Sequence, residues 1–256
     1  YKEYNVFPTL EDTNSYLKYE KEELIKRYGE KIADKIQKFT VKYTQKEIER
    51  ETYQAMEGFI HNLNTMHSRA GAQVPFSSIN YGLDTTPEGR MVMKQLLLAT
   101  EAGLGHGGTP IFPIQILKIK DGINYNEGEP NYDIFKLACR VPAKRLFPNF
   151  SFIDAPFNLQ YYKPGDYNTE IAYMGCRTRV MGNNYDPTRE VTCGRGNLSF
   201  TSVNLPRLGI LAHGDIDKFF EMLSEKIDLV IDQLLDRFKI QSKKKAMNYP
   251  FLMGQG

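Results

Sequence analysis

The stretch Ala-Tyr-Met-Gly-Cys-Arg-Thr at residues 172–178 sets one thiol between a glycine and an arginine in strand-like, mostly apolar surroundings. Gly175 allows a positive φ or a close backbone approach, and Arg177 supplies a fixed positive charge that favours a thiolate or holds an anion. We therefore take Cys176 as the group around which the chain is organised. On residue chemistry alone, the alternative is a packed, inert cysteine, which is the commoner role of a single thiol.

The composition of the 256-residue chain is that of an ordinary globular protein, with 41% hydrophobic residues. A net charge of +2, from 33 basic and 31 acidic residues, gives no electrostatic footprint for nucleic acid or a membrane surface. The sequence has no apolar run of membrane-spanning length and no signal-peptide pattern. Small molecules or other proteins are therefore the expected partners.

The three cysteines, Cys139, Cys176 and Cys193, form neither a paired framework nor a metal-ligand spacing such as Cys-x-x-Cys. This usage predicts a reducing compartment, and we expect a cytoplasmic protein. Cys139 has no activating neighbour and is predicted to be structural. His61 and His67 are six residues apart, which does not place them on one face of a helix, so we predict no metal site.

Hydrophobic periodicity predicts an α/β fold in which helices alternate with short strands. A charged helix is predicted over residues 19–43, and Thr44 with Glu47 forms a capping box that predicts the start of a second helix. We further predict strands at 74–81, 111–119, 150–153, 171–173 and 198–205, and helices that start near 86, 131 and 215.

Two segments have both a functional and a structural interpretation. Ser77 and Ser78 either line a ligand cleft or satisfy local backbone groups, and we favour the structural role. The glycines of residues 103–108 suggest a phosphate loop, but they follow a helix and no Gly-Lys-Ser/Thr comes after them. We therefore predict a flexible connection between a helix and a strand.

Several short motifs, separated along the chain, resemble motifs of the anaerobic ribonucleotide reductases, the oxygen-sensitive glycyl radical class, and occur in the same order as in that family. Each such motif is called a word below. The resemblance covers roughly residues 44–240. The words are Thr-Pro-Ile-Phe-Pro at 109–113, Pro-Asn-Tyr-Asp-Ile at 130–134 followed by Lys-Arg-Leu-Phe-Pro at 144–148, Met-Gly-Cys-Arg at 174–177, Gly-Arg-Gly-Asn-Leu at 194–198, and Val-Asn-Leu-Pro-Arg at 203–207.

The resemblance implies that the chain is part of a ten-stranded α/β barrel with a finger loop at its centre. By match to the Met-Gly-Cys-Arg word, Cys176 is the reactive cysteine at the tip of that loop. Asn197 resembles the active-site asparagine that hydrogen-bonds the ribose hydroxyls of the substrate, and an asparagine that closes a turn after glycines is the alternative. Cys193 is not at a motif position, and a redox pair of Cys176 with Cys193 is a further alternative.

In the family, a glycyl radical on a C-terminal domain oxidises the reactive cysteine. The cysteine then removes the 3'-hydrogen of a ribonucleoside triphosphate, so that the 2'-hydroxyl leaves as water and a deoxyribonucleotide for DNA synthesis is formed. The resemblance implies formate as the reductant and ATP and dNTPs as effectors. It also implies a radical-SAM activating protein and a homodimer as partners.

The resemblance further implies that residues 1–256 are a central fragment of the catalytic barrel domain, with 1–43 helical and peripheral and 44–256 in the barrel core. The N-terminal regulatory domain and the C-terminal glycyl radical domain with its zinc-binding cysteines are absent from these residues, so we expect the fragment alone to be inactive. One alternative is another glycyl radical enzyme of the same barrel family, which the Asn-Leu-Pro-Arg word disfavours. The other is a non-catalytic nucleotide-binding module in which Cys176 is packed.

Overall fold

The computed structural model describes residues 14–66, 74–175, 178–180, 186, 188 and 199–249. The chain divides into two compact units, residues 1–193 and residues 194–256. The described part of the first unit contains helices, a parallel sheet and a hairpin, and that of the second unit is mainly helical. None of the helices in these ranges is long and apolar enough to cross a membrane.

Two charged helices precede the sheet of the first unit. α1 covers Asn14–Tyr28 and α2 covers Glu30–Thr65. The predicted helix start at Thr44 is therefore wrong, because α2 runs through this residue. Neither glycine nor proline occurs from residue 30 to residue 57, so no residue in this part of α2 breaks the helix. Glu47 does not cap Thr44, because its carboxylate binds Arg50 one turn further on, at 2.7 Å.

Among the described residues of the first unit, three parallel strands form a sheet. β1 is Ser78–Tyr81, β2 is Ile114–Ile119 and β3 is Asn149–Phe152, with β2 in the middle. α3, at Pro87–Ala102, connects β1 to β2, and α4, at Tyr132–Arg140, connects β2 to β3. The alternation confirms the predicted α/β class, because parallel neighbours need a crossover connection.

Two of the strands begin later than predicted, in each case beyond a proline. β1 starts at Ser78, three residues after Pro75, and β2 starts at Ile114, directly after Pro113. A proline has no N–H to contribute to a ladder, so regular pairing starts after it.

The helices cover one face of the sheet. Leu117 and Ile119 of β2 pack against Met93 and Leu97 of α3, and Ile134 of α4 belongs to the same cluster. Burial of an apolar side chain of this size contributes about 1.5–3 kcal/mol. This face therefore holds α3 and α4 in place.

The glycine-rich segment 103–108 ends α3. The Arg145 guanidinium donates to Glu101 O at 2.9 Å, to Ala102 O at 2.8 Å and to Gly107 O at 3.1 Å. A phosphate loop presents N–H groups to an anion, whereas here carbonyl oxygens face a cation. The interpretation of this segment as a connection is confirmed.

A short helix and an antiparallel hairpin follow β3. α5 covers Pro156–Leu159, and β4, at Ala172–Met174, pairs with β5, at Thr178–Val180. The predicted strand at 171–173 is confirmed, with a shift of one residue.

In the second unit, α6 covers Leu205–Ala212. Asn204 Oδ1 accepts a hydrogen bond from Arg207 N at 3.0 Å, and Pro206 lies in the first turn, so the helix begins at a capping residue. The strand predicted over 198–205 is wrong in its described part, because residues 199–204 are irregular and Leu205 begins α6.

The last long helix, α7, covers Ile216–Ser242. Asp215 Oδ1 caps it by accepting from Lys218 N at 3.0 Å, which confirms the helix predicted from Asp215. Arg237 of α7 donates to Phe200 O at 2.9 Å and thereby ties the irregular segment before α6 to this helix.

Candidate functional site

The hairpin of β4 and β5 carries the predicted reactive segment. Tyr173 is opposite Arg179 and Met174 is opposite Thr178, so Gly175, Cys176 and Arg177 connect the two strands. Cys176 and Arg177 lie outside the described residues, as do the other predicted site residues, Asn197 and Cys193. The described geometry is therefore that of the strands and of Gly175, the residue directly before the cysteine.

Gly175 has a left-handed backbone conformation, which glycine adopts more readily than other residues. Its φ is 59°, in the left-handed region that L-residues rarely adopt. A Cβ at this position would lie 3.2 Å from Cε1 of Phe76, whose ring packs edge-on against Phe112 at a centroid distance of 5.0 Å. Both predicted reasons for a glycine, a positive φ and a close approach, are confirmed.

Gly175→Ala in the full-length protein is expected to lower the free energy of unfolding by about 1–2 kcal/mol, because the positive φ becomes unfavourable and the new methyl presses on Phe76. Gly165→Ala is the matched control, since Gly165 has a φ of 86° and no atom within 4 Å of an ideal Cβ. Chemical unfolding of both variants should show the larger loss at Gly175. Equal losses would mean that the contact with Phe76 has no energetic consequence.

Side chains of β1 hold β4 against the sheet. Asn80 Nδ2 donates to Tyr173 O at 2.7 Å, and Tyr173 N donates to Asn80 Oδ1 at 2.8 Å. Ser78 lies two residues before Asn80, and Gly175 lies two residues after Tyr173. Gly175 N donates to Ser78 Oγ at 3.1 Å. The favoured interpretation of the two serines is confirmed for Ser77, whose hydroxyl donates to the nearby Pro75 O at 3.4 Å. It is wrong for Ser78, because the backbone group that its hydroxyl binds is on Gly175, far away in sequence.

Asn80 belongs to no motif that predicts a site, but the residue pattern of β1 gives a signal for its role. Ser78 and Asn80 alternate with Ile79 and Tyr81, and the latter two pack toward the helices. When a short strand is polar on one face and apolar on the other, its polar side chains are expected to hydrogen-bond a segment that packs on the polar face.

The ring of Tyr173 shows which face of the sheet the hairpin covers. It packs against Ile114 and Ile116 of β2 and against Phe147. These β2 residues alternate with Leu117 and Ile119, which face α3 and α4. The hairpin therefore lies on the face of the sheet opposite these two helices.

The second strand of the hairpin has its own anchor. Arg179 of β5 donates to Asn158 Oδ1 at 3.1 Å, and its guanidinium lies over the ring of Phe157, 5.0 Å from the centroid. Asn158 is buried and donates in turn to Phe152 O at the end of β3. Both strands of the hairpin are thus fixed to the first unit.

A mostly buried ion pair lies where the chain enters β4. Lys118 of β2 binds Glu170, and 13% and 17% of the two side chains remain exposed. Ser151, which is opposite Lys118 in the register of β2 and β3, has a buried hydroxyl without a hydrogen-bond partner among the described residues. This face of the sheet therefore combines the apolar side chains of Ile114 and Ile116 with the polar side chains of Lys118 and Ser151.

On the helix side of the sheet, a buried polar chain is fully hydrogen-bonded. Tyr81 donates to Gln115 Oε1 at 2.9 Å, Gln115 donates to Thr100 Oγ1 at 2.8 Å, and Thr100 donates to Leu96 O at 2.7 Å. Burial raises the pKa of Tyr81 well above its ordinary value, so the phenol stays protonated and donates. This chain is structural.

The remaining candidates for site chemistry give no second site in the described residues. Cys139 is exposed on α4 rather than packed among core positions, and partial burial of its sulfur raises the pKa of the thiol, so it is not activated. Within these ranges, no three His, Cys, Asp or Glu side chains are grouped so that they could hold a metal ion.

Comparison with known proteins gives consistent matches. The family model described as anaerobic ribonucleoside-triphosphate reductase matches residues 16–256. Curated proteins with that name from Salmonella typhimurium and Escherichia coli are each 33% identical, over 84% and 81% of this chain. The protein of that name from Enterobacteria phage T4 is 32% identical over 84% of the chain. The matches cover 29%, 28% and 35% of these relatives, so the chain spans about a third of their length.

Proposed function

This chain belongs to the anaerobic ribonucleoside-triphosphate reductase family, and we propose that it is a part of the catalytic subunit of such a reductase. In this proposal, the full-length protein reduces ribonucleoside triphosphates to deoxyribonucleoside triphosphates by thiyl radical chemistry. Cys176 is the thiol that reacts with the ribose.

One observation carries the assignment of Cys176. β4 is bound to β1 through Asn80 and Ser78, and Gly175, which follows it, has a positive φ and a close approach to Phe76 that favour glycine. A hairpin whose two strands are both hydrogen-bonded to the rest of the first unit would restrict the position of the residue that follows Gly175. Catalytic groups need such support, because small errors in position are costly to the rate.

The reaction needs a group that exchanges a hydrogen atom with carbon. An S–H bond is weak enough to yield its hydrogen to a protein radical, yet its thiyl radical can take hydrogen from a ribose carbon. Cys176 would lose its hydrogen and then remove the 3'-hydrogen of the substrate, after which the 2'-hydroxyl leaves as water. A glycyl radical, which the resemblance implies on another domain of the full-length protein, would supply the oxidising equivalent.

The second proposed site residue, Asn197, would bind the ribose hydroxyls, because an amide both donates and accepts hydrogen bonds. Formate, which the resemblance implies as reductant, would supply the two electrons that convert the ribonucleotide to the deoxyribonucleotide. The match of the Gly-Arg-Gly-Asn-Leu word at 194–198 supports the role of Asn197.

We propose that residues 44–256 belong to the core of a ten-stranded α/β barrel and that residues 1–43 are peripheral. The parallel strands β1, β2 and β3, covered by helices on one face and by the hairpin on the other, support a barrel with a central finger loop. α2 crosses the boundary at residues 43 and 44, so the peripheral part would continue into the core as one helix.

The proposed partners follow from the family: a ribonucleoside triphosphate, dNTP and ATP effectors, a radical-SAM activating protein and a second copy of the chain. An exposed apolar stripe on α2 supports a homodimer. Ile32, Phe39 and Tyr43 are more than half exposed, and the rings of Phe39 and Tyr43 stack at a centroid distance of 5.9 Å.

The full-length gene product, activated by its radical-SAM partner under strict anaerobiosis, is expected to convert CTP to dCTP when formate is supplied. Samples without formate and samples exposed to air are the controls, and both should lose product formation. The measurement is dCTP by chromatography together with the glycyl radical signal by electron paramagnetic resonance.

A preparation with a full radical signal that forms no deoxyribonucleoside triphosphate from CTP, ATP, GTP or UTP would contradict the proposal and favour another glycyl radical enzyme. Nucleotide binding without any radical signal would favour a non-catalytic nucleotide-binding module.

A further inference from the structure

We propose that Asn80 and Ser78 of β1 are positioning residues for Cys176, which they hold in place through the backbone of β4. The inference rests on the proposed function for its catalytic consequence. Its structural content, that two side chains of β1 set the position of the reactive hairpin, stands on contacts among described residues alone.

The amide of Asn80 binds the backbone of β4 through a donor and an acceptor, as the backbone of a neighbouring strand would. Its Nδ2 donates to Tyr173 O at 2.7 Å and its Oδ1 accepts from Tyr173 N at 2.8 Å, so one side chain satisfies both backbone groups of one residue. The main chain of Asn80 is paired with Ile116 of β2 in the sheet. A side-chain amide is the group that can hold β4 over this face of the sheet, because it offers a donor and an acceptor in one plane.

Ser78 supplies the second point of attachment, nearer to the cysteine. Its hydroxyl accepts from Gly175 N at 3.1 Å, one residue before Cys176. Residues two apart in a strand point to the same face, so Ser78 and Asn80 face β4 together and contact residues that are also two apart. Two attachments fix the direction of β4 as well as its distance from the sheet, which one attachment could not do.

β4 is paired with β5 in the hairpin, and among the described contacts its polar attachments to the sheet are those of Asn80 and Ser78. β5 is held separately by Arg179, which binds Asn158, and the entrance to β4 is held by the ion pair of Lys118 with Glu170. Between them, the described backbone groups of Tyr173 and Gly175 are bound by Asn80 and Ser78. Loss of the Asn80 bonds would therefore loosen β4 at Tyr173 and leave the Ser78 bond to Gly175 N as its remaining described polar attachment to β1.

The test uses Asn80→Asp in the full-length activated protein. The carboxylate has nearly the same shape as the amide and still accepts from Tyr173 N, but it cannot donate to Tyr173 O and repels it. We expect kcat to fall by about 10- to 100-fold, the order of loss that follows a small displacement of a reacting group. KM for the ribonucleotide and the glycyl radical content should stay at wild-type values. Ser78→Ala should act in the same direction.

Asn124→Asp is the matched control. Asn124 is a buried amide that, like Asn80, binds backbone groups in both senses: it donates to Lys118 O at 2.8 Å and to Gly82 O at 3.2 Å and accepts from Lys120 N at 2.9 Å. These partners are not on the hairpin. The control variant should lose thermal stability at least as much as Asn80→Asp and keep wild-type kcat at temperatures where it is folded.

A second readout is independent of turnover. In the unactivated protein, the alkylation rate of Cys176 by iodoacetamide, followed by mass spectrometry of its peptide, should rise several-fold in Asn80→Asp and stay unchanged in Asn124→Asp. If the wild type reduces no ribonucleotide, the proposed function fails, and the alkylation rates still decide the positioning. Wild-type kcat or a wild-type alkylation rate in folded Asn80→Asp would overturn the inference, and so would equal effects of the two variants.

Discussion

Full-length enzyme that carries Cys176→Ala is expected to form no measurable deoxyribonucleotide, a loss on the order of 10⁴-fold or more, as for removal of a catalytic nucleophile. Alanine has no hydrogen that a protein radical can remove and no atom that can take hydrogen from the ribose. The glycyl radical should still form on activation, because the thiol is downstream of it. The measurements are dCTP formation from CTP with formate and the radical signal by electron paramagnetic resonance.

Two other cysteines make this prediction specific. Cys139→Ala should keep wild-type activity, because this thiol is exposed on α4 and its pKa is raised rather than lowered. Cys193→Ala should also remain active, and a loss as complete as that of Cys176→Ala would favour the alternative of a redox pair. Continued reduction of CTP by Cys176→Ala would show that the thiol is structural and that the assignment is wrong.

Local patterns explain why the helices, the strands and Gly175 could be predicted. Alternation of polar and apolar residues at 78–81, the mostly apolar run at 114–119 and the helical spacing from Asp215 onward are properties of neighbours in the sequence. Gly175 could be predicted because both demands on it, a positive φ and a close approach, are met by the absence of one side chain.

The attachments of the hairpin could not be predicted from the sequence, because the partners are far apart along the chain. Asn80 and Tyr173 are separated by 93 positions, and no local pattern relates one to the other. The same holds for Arg145, which binds the end of α3 from 44 residues away. The helix start predicted at Thr44 is wrong for a different reason. A local capping pattern is present there, but α2 continues through it without interruption.

Asn197→Ala is expected to lower kcat/KM for the ribonucleotide by roughly 100- to 1,000-fold, which is typical of removing an asparagine that stabilises a reacting group. The amide would bind the ribose hydroxyls, and its contacts should strengthen as the 2'-hydroxyl leaves, so part of the loss should appear in kcat. Asn197→Asp keeps an acceptor and loses the donor, and it should be impaired as well. Steady-state kinetics of CTP reduction at saturating formate give both parameters.

Asn204→Ala is the matched control for Asn197→Ala. It removes another asparagine, seven residues further along the chain, whose hydrogen bond is described. Asn204 Oδ1 accepts from Arg207 N and caps α6, so its loss should cost about 1 kcal/mol of stability and leave kcat/KM unchanged. The radical signal should persist in both variants, which separates a defect in substrate binding from a defect in activation. Wild-type kinetics in Asn197→Ala would instead support the alternative that this asparagine only closes a turn after glycines, and the substrate would then have to be held by other residues of the full-length enzyme.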